Sequence, residues 1–391
     1  MDFDDRFKTI LRKQKVKNVD LSRFPLRVAI ICPYSMSVPG GVQNQVILQM
    51  NELRKNGVDA RIIAPCDGVP PNQYVIPVGT TRVLKGNGSL VPIADDKEVN
   101  SMTLGAIANF SPDVLHLHEP MVPGPTMSAM IGADIAMVAT FHAAGEGSQA
   151  MKYIRHPARG AISRIHQKIC VSNEAVLLAS KYIPGDYGVI PNALDLNEFK
   201  NIDPWPHTKP IVMFVGRHEE RKGLRFLVDA WLNSKIAQDK FELWIAGNGV
   251  ETNELVSKTA HCKSIHFVGR IDDKELIRRL YSCEVLVAPA TGGESFGIVL
   301  LEAMATNCAI LASDIPGYAG VARHNQEAIL VEPGSSKLLK EALENLLNDK
   351  DGRDKLKRNS AIRVKEFSIE STVEKYQKVY ETAMEQHRTL L

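Results

Sequence analysis

Short apolar runs recur along the whole chain, and the segments between them carry apolar residues at helical spacing. In the first half the runs are Arg27-Val-Ala-Ile-Ile-Cys32, Ala60-Arg-Ile-Ile-Ala64, Asp113-Val-Leu-His-Leu-His-Glu-Pro120, Met137-Val-Ala-Thr-Phe-His142, Lys168-Ile-Cys-Val-Ser172 and Tyr187-Gly-Val-Ile-Pro-Asn192. In the second half they are Ile211–Val215, Glu242–Ala246, Ile265–Val268, Val285–Ala288, Ala309–Ala312 and Ala328–Val331. A run without polar alternation is a strand covered on both faces, as in a parallel sheet flanked by helices. A helix opening at Pro39-Gly-Gly-Val-Gln43 and running through Leu53 separates the first two runs. Strand and helix therefore alternate, which predicts an α/β chain of two doubly wound, Rossmann-like domains.

The expected boundaries are an N-terminal extension over 1–24, a first domain over 25–200, a linker over 201–210 and a second domain over 211–369. The linker carries Pro204, Pro206 and Pro210 and no periodicity. Residues 66–100 are turn-rich. A last amphipathic helix, capped by Ser368 and presenting Val373, Tyr376, Val379 and Tyr380 on one face, is expected to cross back to the first domain.

The candidate chemistry lies where strands give way to glycine-bearing loops. Thr291-Gly-Gly-Glu-Ser-Phe-Gly-Ile-Val-Leu-Leu-Glu-Ala-Met304 follows one such strand, with Glu294 and Glu302 separated by seven residues. The helix it opens offers unpaired N–H groups and a positive dipole end, suited to a phosphate. Gly216-Arg-His-Glu-Glu-Arg-Lys-Gly223 brings Arg217, Arg221 and Lys222 to another strand end, where cations would neutralise a diphosphate. Gly40 and Gly41 leave room for a ligand against the backbone. Gly247-Asn-Gly249 and Val268-Gly-Arg-Ile271 follow further strands and suit a nucleotide. His116 and His118 share a strand face by period two, and His142 ends the next strand.

Composition narrows the class. Hydrophobic residues make up 44% of the 391 and charged residues 24%, a globular profile, and the net charge of +2 does not point to nucleic acid. Six scattered cysteines with no Cys-x-x-Cys pair read as reduced thiols of a cytosolic protein. No apolar run approaches the ~20 residues of a membrane span. Asp-x-Asp occurs only at Asp2-Phe-Asp4 and Asp349-Lys-Asp351, away from the glycine loops. No tightly bound cofactor or protein-held metal is expected, which leaves room for Mg2+ to assist a diphosphate.

Together, the Glu-x7-Glu loop, the 216–223 loop, Gly40-Gly-Val-Gln43, Gly86-Asn-Gly-Ser89, Val114-Leu-His-Leu-His-Glu-Pro120 and Val138-Ala-Thr-Phe-His142 carry a resemblance. From about residue 26 to 385 the chain resembles retaining glycosyltransferases of family 4, which have the GT-B fold of two Rossmann-like domains facing a cleft. Within that family it looks most like actinobacterial phosphatidylinositol mannosyltransferases. The resemblance implies transfer of mannose from GDP-mannose to the inositol of a phosphatidylinositol, with retention at the anomeric carbon. It implies that His118, Arg217, Lys222 and Glu294 are catalytic. It implies donor contacts from Gly40, Gly41, Gly247, Gly249, Arg270, Ile271, Ser295, Phe296, Gly297, Ile298 and Glu302, and acceptor contacts from Gln43, Asn87, Gly88 and Ser89.

Two features depart from the family's pattern: Gly86 stands where an aromatic precedes Asn-Gly-Ser, and Ala94-Asp-Asp-Lys-Glu-Val99 is acidic where a basic helix is usual. Phe3, Phe7, Ile10 and Leu11, followed by Arg12, Lys13, Lys15 and Lys17, are expected either as a solvated, loosely docked tail or as an alternative surface for anionic lipid. The expected location is the cytoplasm, peripherally on the inner face of the cell membrane, as a monomer or weak oligomer. Two other readings stay open: a UDP-sugar enzyme acting on a diacylglycerol, inositol phosphate or polysaccharide, and a non-catalytic nucleotide-sugar-binding protein.

Overall fold

In the computed structural model, residues 25–86, 89–94, 97–145 and 159–390 are described. The N-terminal basic segment, Asn87 and Gly88 lie outside them. The chain forms two compact units, one running to Ile190 and taking in Thr372–Leu391, the other Pro191–Ser371.

The first unit is built on seven parallel strands: β1 (Arg27–Ile31), β2 (Asp59–Ala64), β3 (Val75–Pro77), β6 (Val114–His118), β7 (Ala136–Phe141), β8 (Gln167–Cys170) and β9 (Gly188–Val189). β4 (Arg82–Gly86) and β5 (Ser89–Ile93) form a separate antiparallel pair. The order in the large sheet is β3-β2-β1-β6-β7-β8-β9. β1 pairs with β2 on one side and β6 on the other, so the winding reverses at β1/β6. Ligands bind outside the carboxyl ends of strands at such a reversal. The segment leaving β1 leads to Gly40, the N-cap of the next helix, and His118 is the last residue of β6.

The second unit repeats the design with β10 (Ile211–Val215), β11 (Glu242–Ala246), β12 (Ile265–Gly269), β13 (Cys283–Ala288), β14 (Ala309–Ser313) and β15 (Ala328–Val331) in the order β12-β11-β10-β13-β14-β15. Its reversal lies at β10/β13, which brings the 216–223 loop beside the 289–297 loop. The two faces of this sheet are covered by separate apolar clusters, one around Met213, Leu286 and Leu301, the other around Phe214, Trp231 and Leu343.

Two stretches differ from the reading of their sequence. The turn-rich 66–100 region contains the β4–β5 hairpin, which closes at Gly86↔Ser89. The signal was present, since Asn-Gly between alternating apolar residues is a strong hairpin mark. The proline-rich 201–210 stretch is fastened to the second unit. Trp205 lies under the Arg278 and Arg279 guanidinium groups at 4.9 and 4.2 Å, its N–H donates to the Arg278 carbonyl, and its own carbonyl accepts from Ser282. Cation–π contact and backbone pairing outweigh the extended preference of the prolines.

The last helix spans Ile369–Leu390, with Ser368 Oγ accepting from the Ser371 N–H at 3.3 Å. Val373, Tyr376, Tyr380 and Ala383 are buried in the first unit.

Trp231 is the largest fully buried side chain of the second unit, and its indole N–H donates to Ser264 Oγ at 3.1 Å. Trp231→Ala is expected to cost about 3–5 kcal/mol, from the cavity and the lost apolar contact. Denaturant unfolding followed on that unit measures it; a loss under 1 kcal/mol would show that the cluster collapses around the gap.

Candidate active site

In the second unit the site grows from two loops. The strand β10 ends at Val215, and the loop turns through a short helical stretch at Glu220–Lys222 before Gly223, which has φ +68°. A Cβ on Gly223 would strike the Pro289 carbonyl, so only glycine lets these loops lie side by side. That approach places Arg221 and Lys222 against Glu294. Glu294 Oε1 lies 2.8 Å from Lys222 Nζ and 2.6 Å from Arg221 Nη1. Arg217 Nη1 pairs with Glu219 Oε1 at 2.9 Å, and Glu219 Oε2 lies 3.3 Å from Arg221 Nε without hydrogen-bond alignment. The result is a chain of alternating charge: Arg217, Glu219, Arg221, Glu294, Lys222.

Glu294 is mostly covered, and burial alone would raise its carboxyl. The adjacent Lys222 and Arg221 outweigh that and hold it below the ordinary glutamate range. It is therefore ionised at neutral pH and committed to two cations. The loop behind it is fixed by Gly317 and Tyr318: a Cβ on Gly317 would meet the Glu294 carbonyl, and one on Gly297 would lie 2.7 Å from the Tyr318 ring. Gly297, with φ +93°, caps the helix Ile298–Ala305 without a side-chain hydrogen bond. The first backbone N–H groups of that helix, from Ile298 onward, follow Ser295 after Phe296 and Gly297.

Glu302 sits one turn into this helix. Burial, with Asp273 second, raises its carboxyl to about 7. Phe296 turns the other way, into the core, edge-on to Phe367 with 5.9 Å between ring centroids. Of this residue only the backbone is left for a ligand. Gly247 and Gly249 have a packing role: a Cβ on either would collide with backbone of the 216–218 loop. His218, between them, is fully buried, with Nδ1 2.8 Å from Thr252 Oγ1. Arg270 is exposed and Ile271 half-buried just after β12.

In the first unit, the helix Gly41–Lys55 starts at Gly40 with no side-chain cap and no acidic residue in its first turn. Its leading N–H groups have no internal carboxylate to neutralise them. Gln43 is buried and folds back, its Nε2 3.4 Å from the Ser35 carbonyl and its amide close to Gly40. Ser89 stands in β5. His118 is buried at the end of β6; its Nδ1 lies 2.8 Å from His142 Nε2, and its Nε2 has no partner among the described residues. Burial, with the neighbouring histidines, holds its pKa well below the usual value, so the ring is neutral.

Two residues matter more here than their sequence context suggests. Glu119, with φ +50°, accepts from the His142 and Ala143 N–H groups at 2.6 and 2.7 Å and so holds His142 against His118. Its signal was only its place in the string His-Leu-His-Glu-Pro. Arg221 shares Glu294 with Lys222, although nothing in its spacing sets it apart from Arg217. Among the described residues, no group of three or more His, Cys, Asp or Glu side chains could hold a metal ion.

The Glu302 carboxyl gives a prediction independent of activity. Its folded value of about 7 lies above the ordinary 4.5, so the folded state binds the extra proton. Its cost to stability is absent below pH ~4.5, grows through the interval and is complete above pH ~7. Glu302→Gln should therefore raise the melting temperature at pH 8 and leave it unchanged at pH 4. A pH-independent difference would show that the carboxyl titrates normally.

Comparison with known proteins identifies the family. Residues 195–363 match the family model described as glycosyl transferases group 1, and residues 39–198 match the one described as Glycosyltransferase Family 4. The chain is 32% identical over 362 residues to the phosphatidyl-myo-inositol mannosyltransferase of Mycobacterium leprae (strain TN), covering 91% of this chain and 97% of that protein. It is 31% identical to the protein of the same name from Mycolicibacterium smegmatis, covering 91% and 94%. Among solved structures, a glycosyltransferase from Rickettsia africae ESF-5 superposes with a TM-score of 0.72 at 17% identity, over 92% of this chain and 99% of that one. The sucrose-phosphate synthase of Thermosynechococcus elongatus gives 0.70 at 19%, over 91% and 98%. With two Rossmann-like units, family models matching along both halves and identity above 30% over nearly its full length, the chain belongs to the family 4 glycosyltransferases of the GT-B fold.

Proposed function

We propose that the protein is a retaining α-mannosyltransferase that moves mannose from GDP-mannose to the inositol of phosphatidylinositol. The observation that carries the reading is similarity to phosphatidyl-myo-inositol mannosyltransferases over 91% of the chain, through both units. The second unit supplies the chemistry a nucleotide diphosphate needs. Arg217, Arg221 and Lys222 neutralise the two phosphates, and the first N–H groups of the helix Ile298–Ala305 add aligned donors. As the sugar–phosphate bond breaks, charge grows on the leaving diphosphate. Cations already in place stabilise it without reorganisation. Glu294 keeps Arg221 and Lys222 ordered before the donor arrives and takes hydrogen bonds from the sugar hydroxyls. Glu302 takes the ribose hydroxyls, with Gly247, Gly249, Arg270 and Ile271 bordering the nucleoside.

In the first unit, Gly40 and Gly41 offer backbone to the donor phosphates, and His118 contacts the sugar with a neutral ring. Gln43, Asn87, Gly88 and Ser89 serve the acceptor; the buried Gln43 amide does so by shaping the Gly40 turn. A covalent glycosyl intermediate would need a free carboxylate at the reacting carbon. Glu294 is bound to two cations. This favours a front-face route in which the departing diphosphate helps take the acceptor's proton. No helix among the described residues is long and apolar enough to cross a membrane. In this reading the lipid is met by peripheral contact at the inner membrane face. Mg2+ assists only through the diphosphate.

The test is transfer by the purified protein from GDP-mannose and, in parallel, UDP-glucose, to vesicles with and without phosphatidylinositol. Phosphatidylinositol-dependent mannose incorporation is expected. Incorporation from UDP-glucose instead would reassign the donor. Lys222→Ala and Glu294→Ala should each lower turnover about 10²-fold with the fold retained by circular dichroism, the magnitude typical of a lost transition-state stabiliser. Near-normal turnover in both would place the chemistry elsewhere.

A further inference from the structure

His116 and His118, two apart on β6, lie with ring centroids 4.4 Å apart and planes tilted by 33°. Neither ring meets solvent. The surroundings of His116 are fully specified. Its Nδ1 lies 2.8 Å from the Tyr380 hydroxyl and 2.9 Å from Gln49 Nε2, and its Nε2 lies 2.7 Å from Thr140 Oγ1. Gln49 Nε2 also donates to the Tyr380 hydroxyl at 2.8 Å. An amide nitrogen only donates, and a tyrosine has one hydrogen to give. Gln49 therefore donates to Tyr380, and Tyr380 donates to His116 Nδ1. The ring proton is on Nε2 and goes to Thr140, which in turn bonds Tyr376. Burial keeps His116 neutral, its pKa pushed down to about 3.

His118 has fewer restraints. Its Nδ1 bonds His142, its Nε2 has no partner among the described residues, and its face rests on His116. We propose that Tyr380 is a positioning residue for sugar transfer: through His116 it fixes the plane on which the His118 ring rests, leaving His118 Nε2 for the donor sugar. This rests on the reading of His118 as a donor-sugar contact. The C-terminal helix thereby serves the reaction without touching substrate. A buried network of this kind rigidifies when every member is satisfied, as here.

Tyr380→Phe removes one hydroxyl and keeps the ring. The control is Tyr187→Phe, which also removes a hydroxyl from the first unit, one that donates to the Ile183 carbonyl at 2.6 Å, while the ring keeps its edge-on contact with Phe141. Three readouts on the full chain decide the matter: steady-state transfer from GDP-mannose, GDP binding by calorimetry, and histidine ring 15N resonances of the free protein. Tyr380→Phe should lower kcat about tenfold, with GDP affinity unchanged and the His118 resonances moved, since small misplacements at a reacting centre cost rate. Tyr187→Phe should change none of the three. A kcat within twofold of wild type, or a fall equal to that of Tyr187→Phe, overturns the proposal. Should the wild-type protein not use GDP-mannose, the donor reading fails by that arm alone. The His118 resonances then decide the coupling, and their being unmoved in Tyr380→Phe refutes it.

Discussion

Parallel pairing is the constraint on which the rest of each unit depends. A parallel strand covered on both faces can carry almost nothing polar, because each buried polar side chain requires a partner. The buried positions of β1, β10 and β13 are accordingly Val, Ile, Leu, Ala and Met, with Phe214 and Cys283, all with little exposure. The chemistry is displaced to the carboxyl edge, where the strands stop and glycines let the loops close on each other. β6 is the exception, since Val114–His118 is buried throughout and yet holds two histidines. They are tolerated because Gln49, Thr140, His142 and Tyr380 supply hydrogen bonds, and one nitrogen, His118 Nε2, has no partner among the described residues.

The loops at the β10/β13 reversal illustrate how like charges are held close together. Three cations close together would repel one another, and Glu219 and Glu294 are interleaved among them. Coulomb energy that would disperse these side chains is turned into an ordered array. The three cations are thus held oriented by the two carboxylates. The depressed Glu294 and the raised Glu302 lie on the same loop–helix segment and are pushed apart by environment alone: one has Lys222 and Arg221, the other faces burial and Asp273.

Much of this was legible in the sequence, for identifiable reasons. Runs such as Ile211–Val215 admit one interpretation because nothing in them is polar, and the Glu294/Glu302 spacing is long and specific. Less legible was anything decided by a distant neighbour. Gly247 and Gly249 look like a nucleotide loop, but their glycines are required by the 216–218 backbone. Phe296 lies inside the most recognisable motif and belongs to the core. Trp205 sits among prolines that suggest a tether, yet two arginines some seventy positions later hold it. The roles of Glu119 and Arg221 depend on which atoms the fold brings within 3 Å, which periodicity does not encode.

The passage of the last helix into the first unit bears on how the chain is made. A ribosome releases residues up to Ile190 long before Tyr376 and Tyr380 exist, and the whole of Pro191–Ser371 comes in between. During that interval His116 and Gln49 lack the hydroxyl that joins them, and the surface destined for Val373 and Ala383 is bare. Contacts between residues 264 and 331 positions apart also close slowly, because the intervening chain must be gathered first. The second unit is one continuous stretch of sequence, so all of its own residues exist once Ser371 has emerged. The order of synthesis and the order of completion are thus reversed: the unit begun first is completed only once Thr372–Leu391 has been made, and the hydrogen bonds of His116 close with it.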